Sequence, residues 1–218
     1  HRGDVTAEFT ASDFQRETNV SRETLERLEV YVALLTKWQK AINLISSRTL
    51  ADVWFRHLFD SAQLLDLAPA TSRNWFDVGS GAGFPGLVLS ILGARHVFLL
   101  EKDSRKCAFL REANRVTEAG ANIVEGKLEE IAALVPASRT IPVPHVITAR
   151  AVAPLDQLLS MVEPLCAPET ICLFPKGQDV GRELTAVAKY PNIRVDKLPS
   201  RTAPGAAILR IKGLANGT

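Results

Sequence analysis

The feature of this sequence that points most directly to chemistry is a loop with four glycines in ten residues. Gly79, Gly81, Gly83 and Gly86 lie in the stretch DVGSGAGFPG, which begins within the apolar run NWFDV. Glycines at this spacing let the backbone approach a ligand closely beyond the carboxyl end of a strand. The dinucleotide fingerprint G-x-G-x-x-G fits poorly, because its third glycine falls on Phe84 in one register and the other register begins two residues late. A dinucleotide, and with it hydride transfer, is therefore kept as an alternative.

The other register of the loop is D-x-G-x-G-x-G over residues 77–83, and it resembles the first motif of the Rossmann-like methyltransferases. In that family the loop wraps the methionine part of S-adenosylmethionine, and there is no pyrophosphate to bind. The resemblance implies that Gly79, Ser80 and Gly81 lie against this cofactor. It also implies that Asp77 reaches the ammonium group of the cofactor directly or through a water molecule.

The expected cofactor site also includes three residues from later parts of the chain, Glu101, Leu128 and Glu129. Glu101 closes the next predicted strand, 22 residues after Gly79, where an acid can accept hydrogen bonds from both ribose hydroxyls. Dinucleotide enzymes use an acid at the same place, so Glu101 does not distinguish the two cofactors. Leu128 and Glu129 follow the third predicted strand and are expected on the adenine side, although Glu129 equally fits a solvated charge near a helix start.

The elements that must position these residues alternate from Asn74 onward. Short apolar runs are separated by helix-length segments; they are NWFDV, HVFLL, NIVE, HVIT and TICLFPK. Such alternation predicts βαβ units and a parallel sheet buried on both faces. The last two runs, NIRVDKL and AAILRIKG, have no helix between them, which predicts an antiparallel hairpin at the end of the sheet. With the motif above, the expected fold is α/β: a Rossmann-like class I S-adenosylmethionine-dependent methyltransferase fold with a seven-stranded, mostly parallel sheet.

The chain before this sheet has a helical pattern. Ser21 is a candidate N-cap, and Pro85, beyond the glycine loop, is expected as the first residue of a helix. Apolar residues spaced three and four apart follow Ser21; they are Leu25, Leu28, Val32, Leu35 and Trp38. We therefore expect a helical N-terminal extension over residues 1–70, packed on a cofactor-binding domain over residues 71–218.

Composition sets limits on the function. No apolar run approaches the roughly 18 residues that span a bilayer, and the start of the chain does not resemble a secretory signal, so we expect a cytoplasmic protein. The three cysteines and four histidines match no ligand spacing, so no metal is expected. The net charge of +2 is uninformative, but residues 102–115 hold five basic and two acidic groups. This basic run fits a solvated helix face and a phosphate-binding patch equally well.

The glycine loop is one of five recognisable segments that occur in order across roughly residues 25–180. The segments are KWQKAINLIS, FRHLFDS, DVGSGAGFPG, ITARAVAPL and LFPKG. Together they closely resemble the 16S ribosomal RNA guanine-N7 methyltransferases, also called the glucose-inhibited division protein B family. The one departure is Ile45, where that family is expected to have Thr. The resemblance implies methyl transfer from S-adenosylmethionine to N7 of one guanine in the decoding-region hairpin of small-subunit rRNA. We expect the enzyme to act as a monomer.

The resemblance also carries roles to individual positions. The implied cofactor contacts are Gly79, Phe84, Leu128, Glu129 and Arg150. Residues expected to support the substrate or the pocket are Asn43, Arg56, His57, Asp60 and Lys176, with Lys102 and Arg105 added from the basic run. We expect His57 and Asp60, three residues apart, to contact each other in a structural role. Lys176 ends a buried strand, so it is expected to have a partner or to meet a phosphate.

Arg150 is the expected catalytic group. Guanine N7 has an exposed lone pair, so its attack on a sulfonium methyl needs no general base, and rate must come from orientation. Arg150 directly follows the HVIT run, at the strand end where the cofactor is expected, and can hydrogen-bond a guanine edge. A functional role is therefore favoured over a structural ion pair. Besides the oxidoreductase, a non-catalytic nucleotide-sensing, division-linked protein is kept as an alternative.

Overall fold

The structure is a computed structural model and describes residues 8–216. Its centre is a seven-stranded sheet in the order β3-β2-β1-β4-β5-β7-β6. The strands are β1 (Arg73–Val78), β2 (Arg95–Glu101), β3 (Asn122–Glu125), β4 (Val146–Thr148), β5 (Ile171–Lys176), β6 (Arg194–Pro199) and β7 (Ala207–Lys212). Each of the seven runs expected from the sequence forms a strand, so the predicted fold class is confirmed.

Helices surround the sheet and precede it. They are α1 (Ala11–Thr18), α2 (Arg22–Gln39), α3 (Ser47–Leu50), α4 (Asp60–Ala62), α5 (Gly86–Ile91), α6 (Ser104–Thr117), α7 (Leu128–Leu134), α8 (Leu155–Val162) and α9 (Val180–Glu183). A π-helical segment, Trp54–Phe59, runs directly into α4. Short 3₁₀ turns cover Leu65–Leu67, Val135–Ala137, Glu163–Leu165, Leu184–Lys189 and Leu214–Asn216. Within residues 8–216, no helix has the length and apolar character needed to cross a membrane.

Strand direction follows the connections. The pairs among β1 to β5 are parallel, whereas β7 pairs antiparallel with both β5 and β6. Residues 200–206 between β6 and β7 are too few for a crossover, so the expected hairpin forms. The chain order reverses between β1 and β4, and in open α/β sheets ligands bind at this switch, beyond the carboxyl ends of the strands.

Successive strand residues feed two apolar layers on opposite faces of the sheet. Trp75 packs in the layer with α2, α5 and α6, and Phe76 packs in the layer with α7 and α8. The helices before β1 share the first of these layers, with Leu28 and Tyr31 of α2 fully buried. The N-terminal helices are therefore part of the hydrophobic core. The division of the chain at residue 70 stays a prediction.

The predicted helix starts are close to the observed ones. Ser21 caps α2, and its hydroxyl accepts from the Thr24 amide at 3.1 Å, as expected. Pro85 is the residue before α5, not its first residue, so that expectation was wrong by one position. Gly86 is the first residue of α5, and its amide has no acceptor within the helix and is free to bind a carboxylate.

Candidate cofactor and substrate site

The loop after β1 is shaped by glycines in left-handed conformations. Gly79, Gly81 and Gly83 have φ values of +67°, +56° and +98°, which other residues rarely adopt. A Cβ atom on Gly79 would lie 2.9 Å from a methyl carbon of Val152. A Cβ atom on Gly83 would lie 2.7 Å from the Tyr31 hydroxyl, which donates to the Ala82 carbonyl. The loop is thus tightly packed between the sheet edge and the helix α2.

Asp77 binds this loop from its buried side. Its Oδ2 accepts from the Gly86 amide at 3.2 Å, and its Oδ1 accepts from the Thr148 hydroxyl at 2.8 Å. The side chain is 1% exposed, and burial raises the pKa of its carboxyl group to about 6. Ser80 is also buried and donates to the Asp77 carbonyl at 3.0 Å. The structure therefore gives Asp77 a role inside the loop, and its contact with the cofactor ammonium stays a prediction.

Glu101 binds the loop from the side of the cavity described below. Its Oε1 accepts from the Gly81 amide at 2.9 Å, and its Oε2 accepts from the Asp103 amide at 2.8 Å. Asp103 in turn caps α6. Each carboxylate oxygen can accept more than one hydrogen bond, so both remain able to accept from a diol. Glu101 thus combines loop support with the geometry expected for ribose binding.

A cavity of about 410 Å³ opens at the carboxyl ends of β1, β2 and β4, a size typical of ligand sites. Six of the residues expected from the sequence line it: Gly79, Glu101, Lys102, Leu128, Glu129 and Arg150. Lys106, Lys127, Val152 and Met161 also line it and were not expected individually. Lys106 falls in the basic run of residues 102–115, which was the available signal. Lys127 precedes Leu128 and carries no pattern of its own.

Arg150 brings its guanidinium group to three acceptors on the N-terminal helices. Its Nη1 donates to Asp60 Oδ2 at 3.1 Å and to the Arg56 carbonyl at 3.3 Å, and its Nη2 donates to His57 Nδ1 at 2.7 Å. A functional role for Arg150 was favoured over a structural ion pair from the sequence, but the ion pair with Asp60 is present. Arg150 nevertheless lines the cavity, with 19% of its side chain exposed. The two roles coexist at this residue.

His57 is neutral in this setting. Burial, together with the positive charges of Arg150 and Arg56, lowers its pKa to about 3. Because Nδ1 accepts from Arg150, the ring proton resides on Nε2, which lies 2.8 Å from the Thr49 hydroxyl. The expected direct contact with Asp60 is replaced by one through Arg150, because the guanidinium group lies between the two side chains.

Phe84 is buried and Lys176 is half-buried, and neither lines the cavity. The Phe84 ring stacks on His57 with 4.8 Å between ring centres, and the Arg150 guanidinium carbon lies 5.4 Å from its centre. Lys176 donates to the Ala153 carbonyl at 3.2 Å and pairs with Glu183 at 3.4 Å, so the expected partner exists. A cofactor contact for Phe84 and a phosphate contact for Lys176 stay predictions.

The remaining expected residues lie on the exposed surface. Asn43 is exposed in the turn after α2, where its side-chain oxygen lies 3.4 Å from Gln39 Nε2. Arg56 pairs with Asp52 at 3.4 Å, and Arg105 donates to the carbonyl of that same turn, at Ala41, over 3.2 Å. In the described part of the chain, no group of three histidine, cysteine or acidic side chains is arranged to hold a metal ion.

Comparison with solved structures identifies the fold. An O-methyltransferase from Bacillus cereus in complex with SAH superposes with a TM-score of 0.60 at 14% identity, covering 94% of this chain and 98% of that chain. A putative O-methyltransferase from Klebsiella pneumoniae gives a TM-score of 0.61 at 10% identity, covering 94% and 95%. The fold is that of the class I S-adenosylmethionine-dependent methyltransferases.

Comparison of sequences identifies the family. The family model described as rRNA small subunit methyltransferase G matches residues 24–202. A protein named Ribosomal RNA small subunit methyltransferase G from Paramagnetospirillum magneticum is 48% identical over 200 residues, covering 92% of this chain and 94% of its own. One of the same name from Rhodospirillum centenum is 49% identical over 207 residues, covering 95% and 92%. The chain belongs to the rRNA small subunit methyltransferase G family.

Proposed function

We propose that this protein transfers a methyl group from S-adenosylmethionine to N7 of a guanine in the 16S rRNA of the small ribosomal subunit. The observation that carries the proposal is the meeting of the glycine loop, Glu101 and Arg150 at one cavity, in a chain of this family. Membership of a methyltransferase family removes the dinucleotide alternative. The cofactor is S-adenosylmethionine.

The residues present fit this cofactor. Gly79 is exposed on the cavity wall, and because it has no side chain its backbone is accessible to a closely approaching ligand. Glu101 offers paired acceptors for the ribose hydroxyls, and Leu128 offers an apolar surface for the adenine ring. When bound, S-adenosylmethionine supplies an electrophilic methyl group on a sulfonium centre.

In this reaction the protein must orient the guanine and the methyl group, and it does not need to remove a proton. A guanine N7 lone pair is available without a base, and well-oriented reactants gain roughly 7–11 kcal/mol. His57 is neutral and both of its ring nitrogens have partners, so it is not placed to act as a base. Arg150 carries a fixed positive charge and hydrogen-bond donors beside the cavity, which suits binding of the guanine O6.

Three lysines surround the cavity entrance and suit a nucleic-acid substrate. Lys102, Lys106 and Lys127 line the cavity, and within residues 8–216 none of them forms an ion pair. Lysines that form no salt bridge within the protein can bind the phosphates that flank a target base. We assign the protein to the cytoplasm with its ribosomal substrate, and we expect a monomer.

The deciding experiment is methyl transfer from labelled S-adenosylmethionine to small ribosomal subunits from a strain that lacks this modification. We expect label in 16S rRNA at a single guanine, released by chemistry specific for N7-methylguanine. Naked rRNA, the 30S particle and assembly precursors tested in parallel identify the true substrate. Labelling of no RNA species would contradict the proposal and would favour the non-catalytic alternative.

A further inference from the structure

We infer that Asp60 and His57 are positioning residues for Arg150, and that the loop between β6 and β7 takes part by holding Asp60 through Thr202. The inference rests on the proposed function, because it assigns these residues a role in presenting Arg150 to the substrate.

Arg150 has five N–H donors on three nitrogens. Both hydrogens of Nη1 have acceptors, the Asp60 carboxylate and the Arg56 carbonyl, and one hydrogen of Nη2 has His57 Nδ1. Within the described residues, the Nε hydrogen and the second Nη2 hydrogen have no acceptor. These two lie side by side along one edge of the planar group, as a fork for two acceptor lone pairs. The protein therefore supplies acceptors for three of the five donors, and Arg150 lines the cavity while two donors have no protein acceptor among the described residues.

The π-helical segment Trp54–Phe59 positions the acceptors that bind Arg150. The Asp60 amide donates to the carbonyls of His57 and Phe55, three and five residues earlier, and not to the Arg56 carbonyl four residues earlier. The Arg56 carbonyl instead accepts from Arg150. One wide turn thus presents a carbonyl, an imidazole nitrogen and a carboxylate to the same guanidinium group. Single π-helical turns inside α-helices are frequent at functional sites.

Asp60 is itself held from the opposite end of the chain. Its Oδ1 accepts from the Thr202 hydroxyl at 2.6 Å and from Gln63 at 3.2 Å, while Oδ2 faces Arg150. Gln63 also accepts from the Arg201 amide at 2.9 Å and donates to the Ser200 hydroxyl at 3.4 Å, so three consecutive loop residues are bound to Asp60 and Gln63. This arrangement fixes the carboxylate plane. A fixed carboxylate restricts the guanidinium group to one orientation, as a substrate-binding fork requires.

The test uses turnover with small subunits in a double-mutant cycle. We expect Asp60→Asn to lower kcat about tenfold, and Thr202→Val about threefold, with SAH affinity changed less than threefold. In an Arg150→Lys background, Asp60→Asn should lower kcat less than twofold further. An undiminished tenfold loss in that background would show that Asp60 acts independently of Arg150 and would overturn the inference.

A conservative rescue and a matched control separate positioning from folding. His57→Asn keeps an acceptor near Nδ1 and should retain kcat within threefold, whereas His57→Leu should lose about tenfold. Asp196→Asn breaks an Arg–Asp pair of 3.2 Å with Arg210, away from the cavity, and should leave kcat unchanged. Variants with lower melting temperatures but normal turnover per folded molecule would overturn the inference in favour of a purely structural cluster.

A second readout does not depend on activity, so this inference and the proposed function can fail separately. In ¹⁵N spectra of the arginine side chains, we expect Arg150 to give separate Nη signals because its rotation is hindered. Asp60→Asn should average or broaden them. Equal order in wild type and variant would overturn the inference even if wild type methylates rRNA. Absence of methylation by wild type with the expected spectra would overturn the proposed function alone.

Discussion

Two walls of the cavity differ in how far apart along the chain their contacting residues lie. The loop wall carries the glycine loop with Asp77 and Glu101, and the arginine wall carries Arg150 with the residues that bind it. In the loop wall, Asp77 binds the Gly86 amide nine residues away and Glu101 binds the Gly81 amide 20 residues away. In the arginine wall, the Arg150–Asp60 pair spans 90 residues and the contact from Thr202 to Asp60 spans 142. The carboxylate-to-amide contacts of the first wall lie within one βαβ unit, although Thr148 adds a hydrogen bond to Asp77 from 71 residues away. The second wall exists only when both ends of the chain have folded onto the sheet.

The difference assigns different tasks to the two walls. The loop wall is made of backbone groups and buried carboxylates, which suits a cofactor that is the same in every methyltransferase of this fold. The arginine wall combines side chains from the N-terminal helices and the terminal hairpin, which lie outside the five parallel strands of this sheet. We therefore expect substitutions in the loop wall to change cofactor affinity and substitutions in the arginine wall to change turnover.

The largest effect is expected from Gly79→Val. A β-branched residue at φ +67° is strained, and its Cβ would lie 2.9 Å from Val152, so the loop must shift at the cavity wall. We expect SAH affinity, measured by calorimetry, to fall at least about 100-fold, which is roughly 3 kcal/mol. Gly181→Ala is the control, since nothing lies within 4 Å of its Cβ position. Unchanged affinity in the valine variant would remove the glycine loop from the cofactor site.

The next largest effect is expected from Arg150→Lys. Lysine keeps the charge next to Asp60 but loses the planar fork, so kcat should fall about 100-fold. The melting temperature should change little because the ion pair survives. Arg150→Ala should cost about 1–3 kcal/mol of stability in addition, since Asp60 and His57 lose their donor. Normal turnover by the folded lysine variant would reduce Arg150 to a structural role.

Glu101→Ala tests the loop wall at its ribose-binding end. The change removes the acceptors that we propose for the ribose hydroxyls and also releases the Gly81 and Asp103 amides. We expect SAH affinity to fall about 30-fold, on the order of 2 kcal/mol. Glu125, the neighbour of Glu101 on β3, pairs with Arg111 on the surface, and Glu125→Ala should bind normally. A change of less than twofold for Glu101→Ala would place the ribose elsewhere.

The same difference explains which parts of the molecule the sequence predicted. Period and composition predicted the strands, and the glycine spacing together with Glu101 located the loop wall, because these signals lie within one stretch of chain. The resemblance supplied His57, Asp60 and Arg150 as separate positions. It did not supply their mutual contacts or Thr202, because contacts over 90 and 142 residues leave no periodic trace in a single sequence. The inward role of Asp77 was also missed, since burial of a carboxylate depends on the neighbouring strand.

Asp77→Asn is expected to have a smaller effect, on how the free energy of unfolding depends on pH. The folded-state pKa of Asp77, about 6, lies above its ordinary value of 3.8, so the folded protein holds the extra proton between these limits. The stabilisation is full below pH 3.8 and is lost as the pH rises through 6. Between pH 5 and pH 6, wild type should lose about 1 kcal/mol relative to the variant in urea denaturation. Parallel stability curves would contradict a raised pKa.

The smallest effect is expected at the cavity entrance, from Lys106→Ala. Because this lysine is one of several that can bind phosphate, its removal should weaken RNA binding about threefold and lower the slope of log affinity against log salt concentration by about one. SAH affinity should not change, because we propose that this lysine binds the RNA substrate and not the cofactor. Lys197→Ala on β6 removes an exposed lysine away from the cavity and serves as the control. If both variants show the wild-type salt slope, the lysines at the entrance do not bind phosphates, and the arginine wall alone must account for RNA recognition.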